Sequence, residues 1–264
     1  MRPRESAVLY VEGDSAVHRL NPLTRLTYTL VALALALIWP RWEVSLTLLA
    51  AAVILLLAAG AVGRFLAVTW GLAAVFIPTL FVIQGFWHPA NRTVLFAVGP
   101  LEVGREGMVF AADLSLRLLA ILASSLFLML TTRPSALVEA LVAHGFPPRM
   151  GYALHLSLQI LPAMAATARR IAVAQQARGI EVGGSLVARA RGLLPLLGPL
   201  VRLSLVGVQE RAMALEVRGF GASERRTAFA EQTDHPWERG ARWILVASLA
   251  AVVVGRLIGW LSWR

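Results

Sequence analysis

Residues 44–62 read VSLTLLAAAVILLLAAGAV, a run without one charged side chain. A helix crossing the hydrocarbon core of a bilayer needs about 20 mainly apolar residues, so this run reads as a membrane span. Outward from it the pattern recurs from Leu26 to Trp39, ended by Pro40, from Phe65 to Phe86, from Met108 to Thr132 and from Arg242 to Trp263. Composition agrees: of 264 residues 58% are hydrophobic and 15% charged, against roughly 25% charged in soluble domains. The expected fold is all-α, a polytopic membrane protein with about five transmembrane helices. The segment before the first span carries Arg2, Arg4, Arg19 and Arg25 and lacks a small-residue cleavage site followed by soluble chain. That first span is therefore expected to be retained and not to act as a signal peptide.

All 25 basic residues are Arg and none is Lys. A P-loop nucleotide site and a Schiff base both need Lys, so neither belongs to this chain. The absence of Cys removes disulfides, thiolate zinc sites and cysteine nucleophiles. The net charge of +10 is assigned to loop Arg beside apolar spans and not to nucleic-acid binding, because cytoplasmic loops of membrane proteins concentrate positive charge. A cytoplasmic N-terminus puts nineteen Arg inside and four outside, with Arg117 and Arg256 within spans. Trp39, Trp42, Trp87, Trp260 and Trp263 then fall at outer ends and Trp237 and Trp243 at the inner end of the last span, where amphipathic rings meet the headgroups. The expectation is a multi-pass protein of a prokaryotic cell membrane, N-terminus cytoplasmic and C-terminus outside.

Four segments follow: a cytoplasmic N-terminal piece, 1–25; a four-helix membrane region, 26–132; an Arg-rich cytoplasmic block, 133–240; and a final span, 241–264. Within the block, Pro134 to Leu141 reads as a short helix stopped by Gly145 and the Pro147-Pro148 pair. A longer helix is expected from Arg149 to Arg178, bent at Pro162, with Gly179 ending it and Gly183-Gly184 as a connection. A second arm is expected to be broken by Gly192, Pro195, Gly198 and Pro199, then to run from Leu200 to Arg218 before Gly219 and Gly221. Along it Arg202, Gln209 and Glu216 recur at steps of seven, and Leu203, Val206, Met213 and Val217 take the opposing stripe, giving an amphipathic helix with one apolar face. Residues 193–208 have a second reading, as a sixth span, although the stretch is short and carries Arg202.

Both long helices of the block end alike, in Gln176-Ala177-Arg178-Gly179 and in Glu216-Val217-Arg218-Gly219-Phe220, forty residues apart. An Arg in a last turn complements the helix dipole, and Gly is usual just beyond it. Two matched ends in one block point further, to a rigid helix tip whose guanidinium fork pairs with a partner's carboxylate. The segment resembles the transmembrane T component of energy-coupling factor transporters, importers of vitamins and of nickel or cobalt ions. His18-Arg19-Leu20-Asn21-Pro22-Leu23-Thr24-Arg25-Leu26 is similar to that family's leading segment, with Asn where Asp is commoner. Thr131-Thr132-Arg133-Pro134, Gly145-Phe146-Pro147 and Gln175-Gln176-Ala177-Arg178-Gly179 follow its pattern too. The resemblance covers essentially the whole chain. It implies two ATP-binding-cassette subunits that bind ATP and Mg, a small substrate-binding membrane subunit, and no cofactor or catalysis in this chain. It also implies ATPase docking through Ala177, Arg178, Gly179, Val217, Arg218 and Gly219.

Remaining features carry less chemistry. Asp113 and Arg117 are four apart in the fourth span and are expected to form an interfacial structural pair. His18, His88, His144, His155 and His235 show no metal-ligand spacing. Met150, Met164 and Met213 are expected either to pack or to offer an adaptable docking surface. Residues 93–103 read as a small outer hairpin around Gly99-Pro100. An autonomous secondary transporter would show repeats and midplane polar groups, and an intramembrane enzyme would show a nucleophile beside a base; Ser124 and Ser125 have no His within a span.

Overall fold

The computed structural model describes residues 13, 15–89, 91–98, 101–178, 186–220 and 234–259, with backbone alone for 96–98, 101–102 and 186–196. Arg2, Arg4, Gly99, Pro100, Gly183, Gly184, Gly221, Trp260, Trp263 and Arg264 lie outside the described residues. In chain order the elements are α1 (Ala16–Arg19), α2 (Pro22–Ile38), α3 (Trp42–Ala58), α4 (Val62–Trp87), β1 (Val94–Val98), β2 (Leu101–Gly104), α5 (Arg105–Thr131), α6 (Pro134–Ala143), α7 (Pro148–Ala177), α8 (Leu186–Val217) and α9 (Pro236–Leu257). Compactness divides the chain into a unit of residues 1–140 with 232–264 and a unit of residues 141–231.

In the first unit α5 is the central helix, packed against α2, α3 and α4. Small side chains at the contacts, Ala52, Ala59, Ala61 and Ala123, surround Leu56, Phe65, Phe127 and Leu130. Such residues let helices approach closely where lipid offers no hydrophobic drive to associate. Tyr28 of α2 meets Phe127 of α5 edge to face, with ring centroids 5.5 Å apart. Among the described residues three helices are long and apolar enough to cross a membrane, α4, α5 and α9. The other two, α2 and α3, have 17 residues each, about 25 Å of helix and at the lower limit of a span. The segment between α4 and α5 forms the expected antiparallel hairpin, pairing Phe96 with Val103 and Val98 with Leu101, with a register irregularity between Val94 and Phe96.

Polar bonds join the ends of the first unit. Glu238, only 1% exposed in the first turn of α9, accepts from the Asn21 N–H at 2.8 Å and from Thr24 Oγ1 at 3.0 Å. At the far end Arg256 Nη1 donates to the carbonyl of Ile38, which ends α2. With Asn21 beside Glu238 and Ile38 beside Arg256, α2 and α9 run parallel. First and last helices are parallel only when an odd number of crossings separates the start of one from the end of the other. The five expected spans have that parity.

One further expectation changes. The backbone of α8 is helical without interruption through Gly192, Pro195, Gly198 and Pro199, where a break was expected; α7 continues through Pro162 as one helix. Each proline deletes one ladder hydrogen bond, and in helices of 30 and 32 residues the remaining ladder and the packing of α7 on α8 outweigh that loss.

At the C-terminal end of α4 the Asn91 side chain donates to the Gly85 carbonyl at 2.9 Å and accepts from the Gly107 N–H at 2.9 Å, tying α4 to the start of α5. A Cβ at Gly107 would collide with the backbone carbonyl of Gln84. Gly107→Ala is therefore expected to destabilise this unit by about 1–3 kcal/mol, read as a lower melting midpoint in detergent; an unchanged midpoint would contradict the close approach.

Candidate functional site

Within residues 141–231, α7 and α8 pack on each other. Ile160, Met164 and Thr167 of α7 share a narrow cleft with Leu200, Ser204 and Arg211 of α8. Tyr152, near the start of α7, meets Phe220, just past the end of α8, at a ring separation of 5.0 Å. The pair is thus an antiparallel helical hairpin, and its two C-termini lie at opposite ends. Arg218 is two residues from the Phe220 that touches Tyr152, whereas Arg178 is 26 residues beyond Tyr152 along one helix, about 40 Å at 1.5 Å per residue.

The tips are built by local backbone chemistry. At the end of α8 the Gly219 N–H donates to the Glu216 carbonyl at 2.9 Å and the Phe220 N–H to the Leu215 carbonyl at 2.9 Å. Gly219 has φ +69°, the left-handed conformation that this double-bonded helix stop requires and that glycine adopts without cost. At the end of α7 Arg178 caps the helix, its N–H donating to the Gln175 carbonyl at 3.0 Å. Ala177, Arg178, Val217, Arg218 and Gly219 are all exposed, and Gly179 lies outside the described residues. Neither tip guanidinium has a hydrogen-bond or ion-pair partner among the described residues. Val217, 89% exposed beside Arg218, gives that tip an apolar knob next to its charge.

The expected single apolar face of α8 is corrected by the structure. Leu203, Val206, Met213 and Val217 form one exposed apolar stripe, and Val201, Leu205 and Val208 form another. Arg202, Gln209 and Glu216 separate them on one side, Arg211 and Arg218 on the other. A heptad reading follows one stripe and misses the second, because 3.6-residue periodicity brings 201, 205 and 208 onto a common line as well. On α7 Met150, Leu161 and Val173 are also exposed, whereas Met164 lies in the cleft. So much uncovered apolar surface on two helices marks an interaction surface.

The pairing expected of Asp113 and Arg117 is not found: both are half-buried, and they form no ion pair among the described residues. An i,i+4 attraction is worth only a few tenths of a kcal/mol and does not fix two side chains wedged among neighbours. No group of three or more His, Asp or Glu suited to a metal occurs among the described residues. Sequence reasoning missed Glu238, whose only signal was a carboxylate at the mouth of an apolar helix with Arg242 four residues on.

The sequence profile of the CbiQ family, described as cobalt transport protein, matches residues 13–229. The energy-coupling factor transporter transmembrane protein EcfT of Streptococcus equi subsp. equi is 28% identical over 93% of this chain and 91% of its own length. The proteins of that name from Heliobacterium modesticaldum, 32% identical over 83% and 85%, and from Listeria innocua, 27% identical over 96% of both chains, align equally broadly.

Because Gly219 sets the α8 tip, Gly219→Ala is expected to cost about 1 kcal/mol through its left-handed backbone. Hydrogen exchange should then speed up several-fold at the Phe220 amide, and unchanged protection there would contradict the assigned helix stop.

Proposed function

The chain belongs to the CbiQ family and is the transmembrane component of an energy-coupling factor transporter, a prokaryotic membrane protein, and from that premise we propose how it works. It couples ATP hydrolysis by two ATP-binding-cassette subunits to uptake of a vitamin or a nickel or cobalt ion by a small substrate-binding membrane subunit. The observation that carries this reading is the pair of exposed Arg tips at opposite ends of one helical hairpin. A single groove cannot hold two guanidinium groups about 40 Å apart on rigid helices, so two separate acidic grooves, one on each ATPase subunit, suit them. Arg178 and Arg218 enter those grooves and pair with carboxylates in the forked geometry that guanidinium favours. Ala177 and Gly179 at one tip and Val217 and Gly219 at the other shape the backbone approach.

The apolar stripes of α7 and α8 serve the same assignment. They lie against the substrate-binding subunit, so that closing of the ATPase pair shifts the hairpin and the hairpin shifts that subunit. ATP and Mg are held by the ATPases, and this chain contributes no catalytic group. With the N-terminus in the cytoplasm and the C-terminus outside, the Arg-rich hairpin lies on the side where ATP is available, in keeping with the distribution of positive charge.

Co-purification from cells making all subunits tests the docking. Charge reversal opposite a buried carboxylate costs about 2–5 kcal/mol, so Arg178→Glu or Arg218→Glu should each lower ATPase recovery more than tenfold, and the double variant should abolish it. Full recovery with the double variant, or recovery of this chain without ATPases in the wild type, would overturn the reading.

A further inference from the structure

The polar cluster around the start of α2 does more than join helices. Arg25 is 6% exposed. Its Nη1 donates to the Thr131 carbonyl and to Thr132 Oγ1, the latter at 3.2 Å. Its Nη2 donates to the carbonyls of Leu20 at 2.7 Å and His18 at 3.2 Å. Thr131 is the last residue of α5, where the chain leaves the membrane helices. On the other side of α2, Glu238 accepts from Asn21 and Thr24, and Thr24 Oγ1 accepts in turn from Arg242 Nη1 at 3.2 Å. Arg242 Nη2 also grips both oxygens of Asp234, at 2.9 and 2.7 Å. Residues 234–242 are where the chain returns to the first unit. One short segment, residues 18–25, thus holds both the outgoing and the returning strand, and its contacts span 106 and 217 positions of sequence.

The charges suit this task. The Glu238 carboxylate lies at the N-termini of α2 and α9, and the Arg25 guanidinium at the C-terminus of α5, each at the helix ends whose dipoles favour its sign. Burying two charged groups carries a desolvation penalty that an apolar packing would avoid. Directional bonds deliver a fixed geometry that apolar packing does not.

We propose that Glu238, Thr24 and Arg25 are positioning residues for coupling: they clamp the two strands that lead to residues 141–231, so that displacement of that segment reaches the membrane helices instead of being absorbed at its junctions. This rests on the coupling role proposed above. The clamp itself is a property of this chain alone and can be read separately.

The test uses the assembled complex in proteoliposomes, measuring ATP hydrolysis and substrate uptake in the same vesicles, together with a distance measurement on the isolated chain. The chain has no Cys, so Pro134→Cys and Trp237→Cys, both at exposed positions, take a unique pair of spin labels. Glu238→Ala should broaden the label distance distribution and lower uptake per ATP by about tenfold, within the range of a typical coupling free energy, while the ATPases still co-purify. Glu238→Gln, whose one amide oxygen can take the place of the single carboxylate oxygen that accepts from both Asn21 and Thr24, should retain the narrow distribution and most of the coupling. A distribution that stays narrow in Glu238→Ala would overturn the clamp. A broadened distribution with uptake per ATP unchanged, or uptake and hydrolysis falling together in proportion to folded protein, would overturn its role in coupling. A wild-type complex in which hydrolysis drives no uptake would instead remove the coupling role on which the proposal rests, leaving the distance result to judge the clamp.

Discussion

A carboxylate with 1% exposure, Glu238, fixes the geometry on which the rest of the membrane unit depends. A buried carboxylate needs hydrogen-bond donors, and here they are the Asn21 amide and the Thr24 hydroxyl at the start of α2. Those bonds set α9 parallel to α2, and Arg256 on the Ile38 carbonyl repeats the attachment at the far end. The parallel arrangement in turn requires that the chain between α5 and α9 begin and end at one end of the unit. Arg25, bound to the Thr131 carbonyl, meets the same requirement for the outgoing strand. Topology, helix-dipole complementarity and the attachment of residues 141–231 are consequences of two charged side chains placed at helix ends of the right sign.

Much of this was legible in the sequence, and the limits have physical causes. The spans were legible because length and apolarity are local properties: the runs beginning at Leu26, Val44, Phe65 and Met108 begin within four residues of α2, α3, α4 and α5, and the run from Arg242 begins inside α9, which starts earlier, at Pro236. The hairpin between α4 and α5 and the stop of α6 before Gly145 were legible from turn residues. Pro195 and Pro199 misled, because proline acts locally while the persistence of α8 depends on its whole length and on α7. The second apolar stripe was hidden because Val201, Leu205 and Val208 interleave with the heptad that drew attention first. The contacts of Glu238 were invisible, since nothing in residues 234–242 announces a partner 217 positions earlier in the chain.

The paired helix tips divide along the same line. Ala177-Arg178-Gly179 and Val217-Arg218-Gly219 stand out in the sequence as a repeated motif, and the bonds of Gly219 and Phe220 to the preceding turn are those that Gly beyond a last turn leads one to expect. Their placement at opposite ends of a hairpin is a tertiary fact carried by Tyr152 against Phe220. That placement bears directly on mechanism, because it turns one repeated motif into two separated contact points. The apolar stripes lying between the tips leave the hairpin incomplete as an isolated surface, in keeping with a chain that works inside a larger assembly.

The most direct test of the account is site-specific cross-linking from single cysteines placed at Ala177 and at Val217, in a chain that has no other Cys, within the assembled complex. The account predicts that each position alone captures an ATPase subunit and that the double-cysteine chain yields an adduct of one chain with two ATPase subunits. Cross-links from both positions to a single ATPase subunit, or to none, would contradict it.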